Sequence, residues 1–243
     1  MSDISKPSAT DRVRNEWLRR VEAEYRSAAI TQHLTLWLIQ IGASPDLISD
    51  GLRIVEDELA HAELSHEVYV DGGGAEPPHI VRESLALPRC PGDPLEIDVL
   101  RAGVDIFCLG ETVAVPLFKE HRDKCTVPSA KKTLDRVLKD EVRHRDFGWT
   151  LLAWLMDSPR EPEYRRLIEL ELPRMFGRIR RLYSPPTAQK DREMGDQERA
   201  WGLMPSARYG EILERALERD YIPRFKEHRL DAQAAWDASQ APS

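Results

Sequence analysis

Asp57-Glu58-Leu59-Ala60-His61 and Asp140-Glu141-Val142-Arg143-His144 are the two stretches that decide how this chain is read. In both, a pair of acids precedes a histidine, and the glutamate lies three residues before it. On a helix, residues three apart stand on adjacent turns of one face, so each Glu and its His can aim at the same point in space. Four of the seven histidines follow a glutamate at this spacing, whereas random placement of 23 glutamates along 243 positions would give fewer than one such pair. Context sorts the four. Glu76-Pro77-Pro78-His79 falls in a proline-rich stretch where helical spacing has no meaning, and Glu63-His66 lacks the preceding acid and reads as a solvated rim pair.

Prolines and glycines cut the sequence around these motifs into long pieces that read as helices. From Thr10-Asp11, a plausible N-cap pair, to Ile41 there is neither proline nor glycine, and Trp17, Leu18, Val21, Tyr25, Ala28, Leu36 and Ile39 recur near a 3.6-residue period. Gly42 stands where a C-cap belongs, and Ser44-Pro45 supplies an N-cap followed by proline at the first helical position. A second helix is expected over 46–70, a third over 95–121 and a fourth over 129–156. Gly72-Gly73-Gly74, Pro77-Pro78, Pro88, Pro91-Gly92 and Pro94 mark a long irregular connection between the second and the third. Two more helices are expected over 162–182 and 206–229, kinked at Pro173 and Pro223, with the last dozen residues frayed. No strand-like alternation and no internal repeat is visible. The fold class is all-α: short loops force antiparallel neighbours, and one long crossover between helices two and three gives a four-helix bundle over 11–157. Residues 158–230 are expected to pack on it as a C-terminal helical extension of the same domain.

If the two motifs face each other across such a bundle, helices one and three should each add a lone inward acid. Glu111 is the candidate on helix three, since every neighbour in Ile106-Phe107-Cys108-Leu109-Gly110-Glu111-Thr112-Val113 is apolar or small, and burying a carboxylate alone there is costly. On helix one Glu24 continues the Val21, Ala28, Thr31 face, while Glu16 and Glu22 read as an outer charged face. Glu24 and Glu58 are 34 residues apart and Glu111 and Glu141 are 30 apart, which lets each hairpin bring its two acids to similar height. Pro116 cannot donate to the Thr112 carbonyl, so the third helix should bend or bulge beside Glu111, either opening a substrate or oxygen pocket or forming a plain structural kink.

With these residues in hand the chain resembles the ferritin-like di-iron carboxylate proteins, which place one Glu on each of two helices and Glu-x-x-His on each of the other two. The resemblance covers residues 11–157 and implies Glu24, Glu58, His61, Glu111, Glu141 and His144 as ligands of two iron ions, with Mn/Fe and Mn/Mn pairs as alternatives. It also implies that Asp57 accepts from His144 and Asp140 from His61, holding each ligand imidazole by its second nitrogen. The chemistry is consistent: four carboxylates bring −4 and two divalent ions bring +4, and oxygen donors with one imidazole per metal suit iron or manganese, where structural zinc would recruit cysteine. The chain departs from several branches of the family. It has no CxxC module, Ser65 stands where reductase subunits carry a tyrosine, and Val137 stands where arylamine N-oxygenases carry a third histidine. Storage ferritins are shorter and leave the C-terminal helices unexplained. The resemblance therefore implies an O2-activating oxidase or oxygenase, of hydroxylase or N-oxygenase type, acting on a small organic substrate. Its electrons would come from an external donor or the substrate, since no flavin or nicotinamide fingerprint is present. A ferroxidase or peroxide-protective protein is the alternative, and a tRNA-modifying hydroxylase a further one.

Composition sets the outer limits. A chain of 243 residues is long enough for a substantial core. A mean hydropathy of −0.50 and the lack of a long uncharged apolar run exclude a membrane-spanning helix. The polar N-terminus shows no secretory signal, and Cys90, Cys108 and Cys125 fit neither a disulfide framework nor a CxxC site, so a reducing cytoplasm is the expected location. Cys108 reads as core. The net charge of −7 argues against nucleic acid as main partner. A basic run between Arg160 and Arg192 reads as a solvated face or a docking surface for a phosphorylated or carrier-bound substrate, and a homodimer is compatible with all of this.

Overall fold

The computed structural model describes residues 7–183 and 194–239. The polar N-terminal residues 1–6, the Lys190–Arg192 end of the basic run and the final residues 240–243 lie outside them. All regular structure among the described residues is helical. Helix α1 (Asp11–Gln40) starts at Thr10, whose hydroxyl accepts from the Val13 amide, and ends where Gly42 takes φ +72 and Ala43 N–H bonds back to the Leu38 carbonyl. Helix α2 (Pro45–Asp71) begins on proline and stops at Gly72-Gly73-Gly74, with Gly73 at φ +83. The connection from 72 to 94 contains a single 3₁₀ turn, Arg82–Leu85. It is tied to α1 by the His79 amide donating to Glu22 and the Leu87 amide donating to His33 Nδ1.

The third long helix is not uniform. It consists of α3 (Leu95–Ala102), a π-helical segment Gly103–Glu111, and α4 (Thr112–Asp123), which contains Pro116. The expected bulge is therefore present, but it lies ahead of Glu111 and ends on it. Helix α5 (Pro128–Met156) again starts on proline. In the tail, α6 (Glu161–Tyr183) is one helix that contains Pro173. The stretch expected as one helix over 206–229 is α8 (Ser206–Ala216), a second π segment (Leu217–Tyr221) and α9 (Ile222–Glu227). Pro223 lies just after the second π segment, at the start of α9. Two short helices carry no signal in the sequence: α7 (Asp196–Ala200) and α10 (Ala232–Ala238). The latter corrects the expectation of a frayed end, because Trp236 is buried with its ring against Phe176 and the Arg180 guanidinium.

Neighbours follow from specific pairs. Ser27 meets Glu58 and Thr35 meets Gly51, so α1 and α2 are antiparallel. His61 meets Asp140 and Asp57 meets His144, so α2 and α5 are antiparallel as well. Cys108 meets Gly148 and Arg122 meets Asp135, which sets the third helix antiparallel to α5, and α3 closes the ring by packing on α1. Helices α2 and α4 thus run in the same direction, which only a long connection permits. One apolar cluster takes in Leu34, Ile54, Phe107 and Leu152 of these helices and Phe176, Tyr221 and Phe225 of the C-terminal ones. Each such fully buried large side chain contributes about 1.5–3 kcal/mol. A second cluster around Trp17, Leu134 and Trp201 fills the opposite end. No described helix is long and apolar enough to cross a membrane.

Candidate metal centre

The ring of helices brings all six expected ligands to one interior point. Glu24, Glu58, His61 and Glu141 can offer one donor atom each with all four within 4.8 Å of one another, and so can Glu58, Glu111, Glu141 and His144. Glu58 and Glu141 belong to both sets. Five of the six are buried; Glu111, at the end of the π segment, keeps some exposure. The two imidazoles lie 5.8 Å apart between ring centres.

Each histidine is held from behind by the acid of the opposite motif. His61 Nε2 is 3.2 Å from Asp140 Oδ2 and His144 Nε2 is 3.3 Å from Asp57 Oδ2, the pairing that the resemblance implies. An ionised carboxylate can only accept, so Nε2 carries the proton and Nδ1 faces the centre. Two arginines of α5, half exposed, lock the acids in turn. Arg136 bonds Asp140 through Nε and Asp57 at 3.2 Å, and Arg143 bonds Asp57 and, at 3.1 Å, Asp140. On the other side Ser27 Oγ donates to Glu58 Oε1 at 3.0 Å.

Four inward atoms find no hydrogen-bond partner: Nδ1 of His61, Nδ1 of His144, Oε2 of Glu58 and Oε2 of Glu141. Buried polar atoms are rarely left so, and four converging orphans of donor type are what a metal site looks like from the protein side. Electrostatics agree. Burial and the charge of Glu58 push the Glu24 carboxyl well above its ordinary range, burial and the charges of Glu111 and Glu58 do the same to Glu141, and burial with Glu58 raises Glu111. Burial also opposes charge on Glu58, but the imidazoles of His144 and His61 outweigh it and hold this carboxyl far below the usual range. His144, resisted by burial, is nevertheless pushed up to about 10 by Asp57 and Glu58. Burial resists charge on Asp57 and Asp140 too, and is overcome by His144 with Arg143 and by Arg136 with His61. The metal-free interior therefore resists carrying all four carboxylates ionised, and two divalent cations would supply the charge that offsets them. The residues fit such ions.

Sequence reasoning missed Arg136, Arg143 and Ser27. Arg136 lies four residues before Asp140, a helical ion-pair spacing that was available as a signal. Ser27 carries none. Glu16, expected on an outer charged face, is partly buried between Arg19 and Arg20. Although burial opposes its charge, Arg20 and Arg19 hold its carboxyl down to about 2. Arg20 in turn reaches His121 Nδ1 and the Gly202 carbonyl. Glu63, His66, Glu76 and His79 lie on or near the surface, as expected. Cys108 is buried core, its thiol pushed up by burial. A third group, Cys90, Asp93 and Asp98, could also approach a cation, but Arg89 and Arg101 already neutralise its carboxylates. Most described cations of the basic run are paired: Arg160 with Glu163, Arg165 with Glu161, Arg174 with Glu171 and Arg178 with Asp105. A groove of about 510 Å³ between α4 and the 199–211 stretch touches none of the six ligands.

No known family model matches the chain, and comparisons with curated proteins and with solved structures return no match.

Proposed function

We propose that this chain is a ferritin-like dinuclear iron protein that uses O2 to oxidise a small organic substrate. One observation carries the reading: two overlapping donor sets of carboxylate and imidazole, sharing Glu58 and Glu141, whose inward Nδ1 and Oε2 atoms face one another and make no hydrogen bond. Antiparallel α1–α2 and α4–α5 pairs joined by a long crossover support the ferritin-like arrangement. Oxygen donors with one imidazole per set favour iron or manganese over zinc, and neither set contains cysteine.

A bound iron pair supplies Lewis acidity and reversible one-electron chemistry for O2 reduction. The chain's own residues do the rest. Glu58 and Glu141 would be shared between the ions, with Glu24 and His61 completing one set and Glu111 and His144 the other. Asp57 and Asp140 keep both Nε2 protons in place, so each Nδ1 lone pair stays aimed inward. Arg136 and Arg143 hold these aspartates ionised. Burial excludes bulk water from five ligands, and the partial exposure of Glu111 marks the flank by which a small substrate and O2 would approach.

The test is anaerobic Fe(II) loading followed by O2. The reading expects two iron ions per chain, O2 uptake with a transient visible absorption, and loss of both in Glu141→Ala. Fewer than two ions per chain, or an unaffected Glu141→Ala, contradicts it. Sustained turnover of bulk Fe(II) without an organic substrate would instead favour the iron-handling alternative.

A further inference from the structure

The π segment that carries Glu111 is held from outside by a residue of the C-terminal helices. Tyr221 is fully buried, and its hydroxyl donates to the Leu109 carbonyl at 2.6 Å. The same carbonyl receives the Thr112 amide, so two donors converge on it at the point where the π segment gives way to α4. Tyr221 closes the second π segment, and its ring lies 5.7 Å from that of Phe176. On the opposite flank α5 presses on the segment directly. Gly148 has no side chain to hold the backbones apart, and Cys108 Sγ donates to the Gly148 carbonyl at 3.3 Å.

A π turn holds one residue more than an α turn, so it rotates the residues after it by about 100° relative to a continuous α-helix. If the segment tightened to α, Glu111 would turn away from the position opposite Glu141 while α4 shifted beneath it. A hydroxyl fixed on Leu109, two residues before Glu111, opposes that tightening.

We infer that Tyr221 is a positioning residue: by bonding the Leu109 carbonyl it holds the π register that presents Glu111 to the Glu58–Glu111–Glu141–His144 donor set. The inference rests on reading that set as half of a dinuclear centre, and it makes the C-terminal helices part of the metal site's support.

Tyr221→Phe tests it, since only the hydroxyl is removed. In metal-free protein, hydrogen exchange of the 103–112 amides should accelerate about tenfold, the effect of losing one hydrogen bond, with exchange in α1 and α2 unchanged. In a Co(II) titration the wild type should show two steps. Tyr221→Phe should weaken by about tenfold the same step that Glu111→Gln removes, leaving the other intact. Trp236→Phe, which thins the same C-terminal layer away from the π segment, should lower the melting temperature and leave both steps alone. Unchanged exchange over 103–112, or equal weakening of both steps, overturns the inference. A wild type that takes up no metal overturns the dinuclear reading and the donor-set part of the inference with it, whereas the exchange experiment separately decides whether Tyr221 holds the π register.

Discussion

Replacing Gly148 with alanine puts the architecture of the centre under direct strain. A Cβ built on Gly148 lies 2.6 Å from both the carbonyl carbon and the Cβ of Phe107, and 2.9 Å from the Cys108 amide nitrogen. Two of these are backbone atoms and cannot swing aside. Relief to ordinary van der Waals separation requires α5 and the π segment to part by about 1 Å, and overpacking of this kind costs about 1–3 kcal/mol. In a chain of this size each kcal/mol lowers the melting temperature by about 2–4 °C, so Gly148→Ala should melt about 2–12 °C below the wild type. The damage is not only to stability. His144 lies one turn before Gly148 on α5, and Glu111 lies one turn after Cys108, so the same movement separates two members of one donor set. Gly110→Ala is the control: an added Cβ meets only the Asp105 carbonyl oxygen, at 3.9 Å. Helical alanine is favoured over glycine by up to about 1 kcal/mol, so this variant should melt at or slightly above the wild type. Scanning calorimetry of the metal-free variants, followed by competition titration against a chelator, reads both effects. A Gly148→Ala protein that melts with the wild type and binds metal equally well would show that α5 and the π segment do not pack as described.

Other perturbations probe different parts of the structure. Asp57→Asn should weaken metal binding about 10–100-fold by releasing the His144 ring and removing the charge between Arg136 and Arg143, and Asp140→Asn should do the same through His61; unchanged affinity in both would deny these acids a supporting role. Saturation with Fe(II) or Mn(II) at about 100 times the dissociation constant should stabilise the fold by about 2.7 kcal/mol per ion bound, and Glu141→Ala should abolish the resulting rise in melting temperature. His121 gives a pH test away from the centre: burial and the Arg20 charge drive its folded value down to about 3, against 6.5 when unfolded. Between pH 6.5 and 3 the unfolded chain therefore binds a proton that the folded chain refuses. Stability conferred by neutral His121 is fully present above 6.5 and is lost as pH falls, at up to about 1.4 kcal/mol per unit. Wild-type melting temperature should accordingly fall more steeply than that of His121→Gln between pH 6.5 and 4.5, above the range in which Glu16 titrates; parallel curves would contradict the assignment.

Two periodicities account for the part of the site that was legible in the sequence. The Glu-x-x-His spacing and the apolar stripe through Val21, Ala28 and Thr31 identify five of the six residues that the structure gathers at one point, and the apolar surroundings of Glu111 identify the sixth, because helical geometry converts spacing into direction without help from distant parts of the chain. Proline and glycine punctuation located the ends of α1, α2 and α5 to within a residue or two for the same reason. Residues that act through long-range contacts left no such trace. Tyr221 looks like any apolar position of its stretch, and its link to Leu109 spans 112 residues. Trp236 docks the end of the described chain only because Phe176 and Arg180 wait for it on α6. The π segment adjoins Glu111, beside which the sequence expects a bend or bulge, but its extent has another origin. Pro116 suggested a disturbance beside Glu111, whereas the widening comes before it, over Gly103–Glu111, where Gly148 and Tyr221 engage the segment from either side.

The dinuclear assignment is tested most directly by anomalous scattering from crystals of the Fe(II)- or Mn(II)-loaded protein, collected on either side of the iron and manganese edges. The account predicts two adjacent peaks, one among Glu24, Glu58, His61 and Glu141 and the other among Glu58, Glu111, Glu141 and His144. A single peak, a peak only at Cys90, Asp93 and Asp98, or none at all would contradict it.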